Sequence, residues 1–316
     1  MAGLQDVVTC GGGVTVVTPV TATTSRPVST QAGAGTELRV GPVGPVRVPT
    51  SRPMEARRAD GVVWRRHWTH HGVLVFEFVD QSYVSVDTDG TITFDRELDS
   101  ELQEHLVFDH VLPVVLARAG HLVLHGGIVS REGRGVALVG SSGAGKSTLS
   151  AYLWNHGWTV GNDDGVILSR SAPASSVRAE PTYATLRLTP AGAELAGIDP
   201  VGTSPIVGKL RLTDRPGRRF HREPVDLVLI AVVEPELADA PASFGALGGM
   251  DAHAELFGST FHADWNRDER LPRVLADLAG VVEGCTVGRL RVPRGRAGLI
   301  AADQLLRSLL DETGPR

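Results

Sequence analysis

The stretch best suited to chemistry is Gly140-Ser141-Ser142-Gly143-Ala144-Gly145-Lys146-Ser147. It fits Gly-x4-Gly-Lys-Ser/Thr at every specified position, the Walker A pattern of a loop that cradles phosphates. Small residues let consecutive backbone N–H groups line one concavity. A helix opening at Ser147 and Thr148 would add its N-terminal donors and its dipole. Lys146 supplies the charge that β- and γ-phosphates need, and the Ser147 hydroxyl can complete a magnesium shell. The expected ligands are ATP and Mg2+. An apolar run, Val136–Val139, precedes the motif and an apolar-faced helix, with Leu149, Tyr152 and Leu153 inward, follows it. The motif requires that strand–loop–helix context.

Two flanking segments carry further candidates. Leu124-His125-Gly126-Gly127 lies one short hairpin before the loop, and Gly161-Asn162-Asp163-Asp164 lies just after its helix and a short strand. An aspartate pair can divide labour, one carboxylate toward a metal and one toward an acceptor hydroxyl. Alone, an Asp-Asp before glycine is ordinarily a turn; spacing around the loop makes these residues candidates. Arg187 is a candidate phosphate or acceptor contact, because guanidinium pairs bidentately with phosphate oxygens, or else a surface strand residue. Val232-Val233-Glu234 ends an apolar run with either a Walker B glutamate or, at least as well, an ordinary core strand end. Lys209, Arg211, Arg215, Arg218, Arg219, His221 and Arg222 form a basic run, read as a solvated loop with one or two positions touching ATP. His67, His70 and His71 have no acidic or cysteine partner at metal spacing, which argues against zinc.

The order His-Gly, hairpin, Walker A, helix, strand, Asp-Asp resembles the catalytic domain of HPr kinase/phosphorylase. Residues 124–168 carry the likeness, which weakens toward about residue 310 and is absent from 1–100. The resemblance implies that His125 lies beside the phosphates, that Lys146 and Ser147 are the Walker A pair, and that Asp163 and Asp164 are the aspartate pair. It makes His125, Asp164 and Lys146 catalytic, with Asp164 deprotonating the acceptor, and gives the metal to Ser147 and Asp163. The sequence departs from the family in one stretch. Pro181-Thr-Tyr-Ala-Thr-Leu-Arg-Leu188 lacks the glutamate-rich signature of true HPr kinases. It looks more like the Tyr-Pro-x-Leu-Arg-Leu stretch of HPr-kinase-related proteins in biosynthetic gene clusters, some of which phosphorylate a serine of a ribosomal peptide. The activity so implied is an ATP-dependent kinase acting on a Ser or Thr hydroxyl of a peptide or protein. A small-molecule hydroxyl kinase, or a nucleotide-binding regulator without transferase activity, are the alternatives. A phosphoenolpyruvate-carboxykinase-like enzyme would need a longer chain and a second metal site. An ABC ATPase would need a Leu-Ser-Gly-Gly-Gln-like stretch and a regulatory GTPase an Asn-Lys-x-Asp reader; neither is present.

These residues need a scaffold, and 316 residues suit two domains. The expected architecture is α/β. A flexible leader over 1–36 and a small β-rich domain over 37–100 precede a P-loop kinase domain over 101–316. Gly, Thr, Val, Ser, Pro and Ala with Arg26 as the only charge make 11–36 unable to build a core. Val73–Val79, Tyr83–Asp87 and Thr91–Phe94 read as strands, with an Asp89-Gly90 turn. Residues 100–119 read as a helix broken or kinked at Pro113. Val123–Ser130 reads as one strand, with further strands at 158–160, 225–233 and 290–292 and helices at 147–155, 271–278 and 301–310. A formal net charge of −5 argues against a general nucleic-acid or membrane-surface partner. Cys10 and Cys285 make no disulfide framework, no apolar run is long enough to span a bilayer, and no secretory signal pattern opens the chain. The expectation is a cytoplasmic protein, with self-association into a homo-oligomer left open.

Overall fold

The computed structural model describes residues 5–9, 15–19, 37–57, 61–171, 176–199, 205–206, 208–212, 220–261 and 270–312. The architecture is mixed α/β with several sheets. Two compact units divide the chain, one running to Leu116 and the other beginning at Ala117.

The first unit is built on one eight-stranded sheet in the order β1-β2-β3-β8-β7-β6-β5-β4. Its strands are β1 Gln5–Thr9, β2 Thr15–Pro19, β3 Glu37–Val40, β4 Met54–Arg57, β5 Val63–His70, β6 Val73–Phe78, β7 Tyr83–Val86 and β8 Thr91–Phe94. β4 to β8 form an antiparallel meander whose Leu74, Phe76, Val84, Val86, Ile92 and Phe94 are buried. Strand structure reaches into the segment expected as a leader: β1 pairs with β2, and β2 runs parallel to β3. The β-branched runs Val7-Val8 and Thr15-Val16-Val17-Thr18 are the physical reason, since such residues suit a pleated surface. The rest of 1–36 lies outside the described residues.

The helix expected over 100–119, broken or kinked at Pro113, continues through Pro113 with an irregular turn just before it. It comprises α1 Ser100–His105, a π-helical stretch Leu106–Val111 and α2 Leu112–Arg118. Asp99 caps α1 by accepting from the Leu102 N–H at 2.8 Å. Leu112 N–H reaches back to the Val107 carbonyl, so the register has widened by the time Pro113, which has no N–H, enters the helix.

The second unit contains β9 Leu122–Leu124, β10 Gly126–Arg131, β11 Arg134–Val139, α3 Lys146–Asn155, β12 Thr159–Asn162, β13 Val166–Ser171, β14 Ser176–Pro181, β15 Leu186–Leu188, α4 Pro190–Ala196, β16 Pro205–Ile206, β17 Lys209–Leu212, β18 Val225–Glu236, β19 Ser243–Ala246, α5 Gly249–Gly258, α6 Leu271–Gly284, β20 Thr286–Pro293 and α7 Arg296–Glu312. The main sheet runs β12-β10-β11-β18-β14-β13-β9, with β20 and then β19 added along β18. β11, β18 and β20 are parallel. Alternate residues of the central strands enter different cores. Val136, Leu138, Leu229, Ala231 and Val233 pack with residues of α3, α4 and α7, whereas Ala137, Val139, Ile230 and Val232 pack with residues of α5 and α6. A strand covered on both faces needs an unbroken apolar run, which is why Leu227–Val233 is wholly apolar. β15, β17 and β16 form a separate small sheet.

The expected strand 123–130 is two strands. β9 pairs with β13 and β10 with β11 and β12, and the chain changes partners at His125. The helix after the loop differs too. Ser150, Ala151 and Trp154 are buried along with Leu149, Tyr152 and Leu153, because α4, α7, β10, β12 and β15 surround it.

Candidate functional site

The Gly140–Ser147 loop joins β11 to α3, and its shape follows from its glycines. Gly140, Gly143 and Gly145 have φ of 133°, 84° and 97°, values that L side chains rarely adopt. Gly140 is also packed tightly: a Cβ there would stand 2.8 Å from the Val233 carbonyl oxygen. Beside Gly143 and Gly145 a Cβ would meet nothing within 4 Å, so the loop borders open space. Ser141, Ser142, Gly143 and Gly145 are exposed, while Ala144 is buried and anchors the loop. Ala144 N–H donates to the Ser141 carbonyl at 3.2 Å, closing the turn.

Lys146 folds back over this loop. Its Nζ donates to the Gly140 carbonyl at 2.7 Å and to the Ser141 carbonyl at 3.1 Å. Burial pushes the ammonium below its usual pKa; Asp164 and Asp163 oppose that shift and Lys209 adds to it. Thr148 lies against α4, where a Cβ on Gly192 would come within 2.8 Å of its Oγ1.

β12 ends at Asn162, and the aspartate pair follows in a turn closed by a hydrogen bond from Asn162 Nδ2 to the Gly165 carbonyl. Asp163 is buried; its Oδ2 accepts from the Arg187 backbone N–H at 3.2 Å, and its carboxylate also bonds the Ser147 hydroxyl. Burial, and then the neighbouring Asp164, push the Asp163 carboxyl up to about 6 from an ordinary 3.8. Gly127 allows β10 to approach this turn, since a Cβ there would meet the Asn162 carbonyl oxygen at 2.5 Å and Asp163 Cα at 3.0 Å. The second glycine after His125 therefore sets the position of the aspartates.

His125 sits at the break between β9 and β10. Its backbone N–H donates to the Ser259 carbonyl at 2.6 Å, and Phe261 meets the ring edge-on at 5.7 Å. Nδ1 lies 3.2 Å from the Asp164 carbonyl oxygen and 3.3 Å from Asp164 Oδ1. Two oxygens facing one ring nitrogen require that nitrogen to carry the proton, which leaves Nε2 as the free lone pair. Protein packed around the imidazole pushes its pKa down, partly offset by Asp164, although 38% of the side chain remains accessible.

The structure thus brings together Lys146, Ser147, Asp163, Asp164 and His125, together with the backbone of Arg187. Arg187 itself is buried, 2% exposed, rather than the surface strand residue that the sequence left open. Glu234 is engaged elsewhere, 3.1 Å from Arg289 Nε and 3.6 Å from Arg291 Nε. Of the basic run, Arg215, Arg218 and Arg219 lie outside the described residues. Arg211 donates to the Tyr183 hydroxyl at 2.7 Å, and Lys209 acts electrostatically on the site. The sequence reading missed Asn162 as the clasp of the aspartate turn; a small amide two residues before the second aspartate was its only signal. Among the described residues no group of three or more His, Cys, Asp and Glu is gathered as for a metal held by protein ligands alone. No helix among them is long and apolar enough to cross a membrane.

No protein-family model matches the chain. No curated protein matches it in sequence. Among solved structures, the Hpr(Ser) kinase/phosphatase from Coxiella burnetii is similar at 13% identity, over 61% of this chain and 99% of that one, with a TM-score of 0.35. The resemblance is distant and structural.

Proposed function

We propose that this chain is an ATP- and magnesium-dependent kinase that transfers the γ-phosphoryl group to a serine or threonine hydroxyl of a peptide or protein in the cytoplasm. The observation that carries this reading is the meeting of side chains from three separate segments. Asp163 bonds Ser147 of the loop, Asp164 meets His125, and both carboxylates act on Lys146. The donor set fits a magnesium nucleotide. Burial and the neighbouring Asp164 carboxylate both raise Asp163, to about 6, and a divalent cation beside the pair would favour its ionised form. Ser147 and Asp163 would hold the magnesium, which neutralises phosphate charge and needs only one or two carboxylates beside the phosphates themselves.

The chain's own groups supply the rest. Exposed backbone N–H groups of the loop, such as those of Ser142, Gly143 and Gly145, would bind phosphate oxygens across its open side. Lys146 would exchange the carbonyls of Gly140 and Ser141 for the β- and γ-phosphates. Asp164, oriented by His125 Nδ1–H, would accept the proton of the attacking hydroxyl as that oxygen bonds to phosphorus and ADP departs. A regulator that only binds nucleotide needs no contact between His125 and Asp164, so that contact favours a transferase.

The test is transfer of label from γ-labelled ATP with magnesium to a serine- and threonine-containing peptide library. HPr and small hydroxyl compounds serve as parallel acceptors. The expected result is phosphoserine or phosphothreonine in a subset of peptides and none on HPr. Label on small compounds alone would change the acceptor class; bound ATP without transfer to any acceptor would end the kinase reading.

A further inference from the structure

Of the 31 basic residues, 29 are arginine and two are lysine, Lys146 and Lys209. The two types are not interchangeable: guanidinium is a planar fork, whereas an ammonium is a compact point charge on a flexible stem. The charge of Lys209 acts on Lys146, on His125 and on Asp163, so the only two lysines of the chain act on one site.

Strand geometry gives the reason. β15 and β17 pair antiparallel with Leu186 opposite Leu212, Arg187 opposite Arg211 and Leu188 opposite Leu210. Leu186, Leu188, Leu210 and Leu212 enter the core beside α3. Side chains alternate along a strand, so Arg187, Arg211 and Lys209 share the other face. The backbone of β15 is fastened to the site through the Arg187 N–H on Asp163. Lys209 stands one residue beyond the Leu188–Leu210 pair, at the start of β17. The two ammonium groups are held differently. Lys146 is 6% exposed and bonded to two carbonyls of its own loop. Lys209 is exposed, and its ammonium makes no hydrogen bond or ion pair with the described residues.

From this placement we infer that Lys209 is a second phosphate-binding cation of the site, one that contacts the γ-phosphoryl group as it moves to the acceptor. The inference rests on the kinase reading and adds a residue that the Walker A pattern does not contain. In the transfer, the bond from the hydroxyl oxygen to phosphorus forms and the bond from phosphorus to the ADP oxygen breaks. The hydroxyl proton goes to Asp164. Lys209 neutralises charge spread over the equatorial oxygens, the part that an additional cation takes in phosphoryl transfer generally.

The experiment measures, by calorimetry with magnesium, binding of ADP and of a non-hydrolysable ATP analogue to the parent, Lys209→Met and Lys209→Arg, together with turnover on a labelled peptide. Lys209→Met should bind ADP like the parent, bind the analogue about tenfold more weakly and turn over about 100-fold or more slowly. Lys209→Arg should recover most of the analogue affinity, because it restores the charge. Parental turnover and analogue affinity in Lys209→Met would overturn the assignment while leaving the kinase reading intact, as would equal weakening toward both nucleotides. A parent that binds neither nucleotide would overturn both.

Discussion

Carboxylates stand at the ends of two strands of the same sheet, and the chain treats them in opposite ways. After β12, Asp163 and Asp164 are side by side with no arginine or lysine hydrogen-bonded to either among the described residues; their partners are a serine hydroxyl, a backbone N–H and the His125 ring. Near the end of β18, Glu234 lies between Arg289 and Arg291 of the neighbouring strand. Both places are near the phosphate-loop motif in the fold, since β11 leads into it and pairs with β18 on one side and β10 on the other. Strand-end position is therefore not what makes a carboxylate available for chemistry. Availability comes from leaving its charge uncompensated, at a cost in stability that an incoming cation or proton can return.

The most severe way to break this comparison is at the loop. Lys146→Ala should abolish phosphoryl transfer and strongly weaken binding of magnesium-ATP, because no arginine stands in for its position in the loop. Calorimetry showing parental affinity in the variant would remove the loop from nucleotide binding altogether.

The carboxylates come next. Asp164→Asn keeps the shape and removes the base, so kcat should fall by roughly 10²–10⁴ while ATP affinity stays near parental. His125→Ala should also slow turnover. The double variant should lose less than the product of the single losses, because His125 acts through Asp164. Multiplicative losses would show that the 3.3 Å contact does not couple them.

Asp163 sharpens the comparison through pH. Its carboxyl sits at about 6 in the fold against an ordinary 3.8, so the folded chain holds this proton more tightly than the unfolded chain does. Stability from this group is therefore full below about pH 4, falls as pH rises through about 6, and is lost above, a total of roughly 3 kcal/mol. Asp163→Asn should raise the Tm of the nucleotide-free protein near pH 7.5 by roughly 6 °C or more. The same variant should gain less Tm than the parent from magnesium-ATP. A lower Tm at neutral pH would mean that the buried carboxylate is already compensated.

How much of this was legible in the sequence depended on how local each feature is. The loop was, because Gly140, Gly145, Lys146 and Ser147 do their work within one turn of chain. β8 and the β10–β11 hairpin were too, since alternation and turn residues are short-range signals. The division of 123–130 at His125 was not: Leu122-Val-Leu124 and Gly126–Ser130 are equally strand-like, and only pairing with β13 on one side and β11 on the other separates them. The small sheet of β15, β16 and β17 was missed because strands of two to four residues carry too little periodicity. That omission hid Lys209 inside a basic run, where charge count alone could not distinguish a strand position beside the site from a solvated loop.

Glu234 should give the smallest effect, and for that reason it tests the comparison most directly. By sequence it could be a Walker B glutamate or, at least as well, a core strand end. In the fold it faces Arg291, its register partner on β20, and Arg289, which Glu255 of α5 also holds at 2.6 Å. The carboxylate is 38% exposed, so solvent screens these ion pairs and their loss should cost well under about 1 kcal/mol. Glu234→Gln keeps the shape and one acceptor oxygen for the arginines. Its kcat should stay within about twofold of the parent, whereas a carboxylate that activates the attacking group would lose on the order of 10²–10⁴. The measurement is turnover and Tm of Glu234→Gln beside Asp164→Asn in one assay. A hundredfold loss in the glutamate variant, with nucleotide affinity and Tm unchanged, would put the base at the end of β18. The uncompensated pair after β12 would then keep only a metal-holding part, and charge compensation would no longer separate the two strand ends.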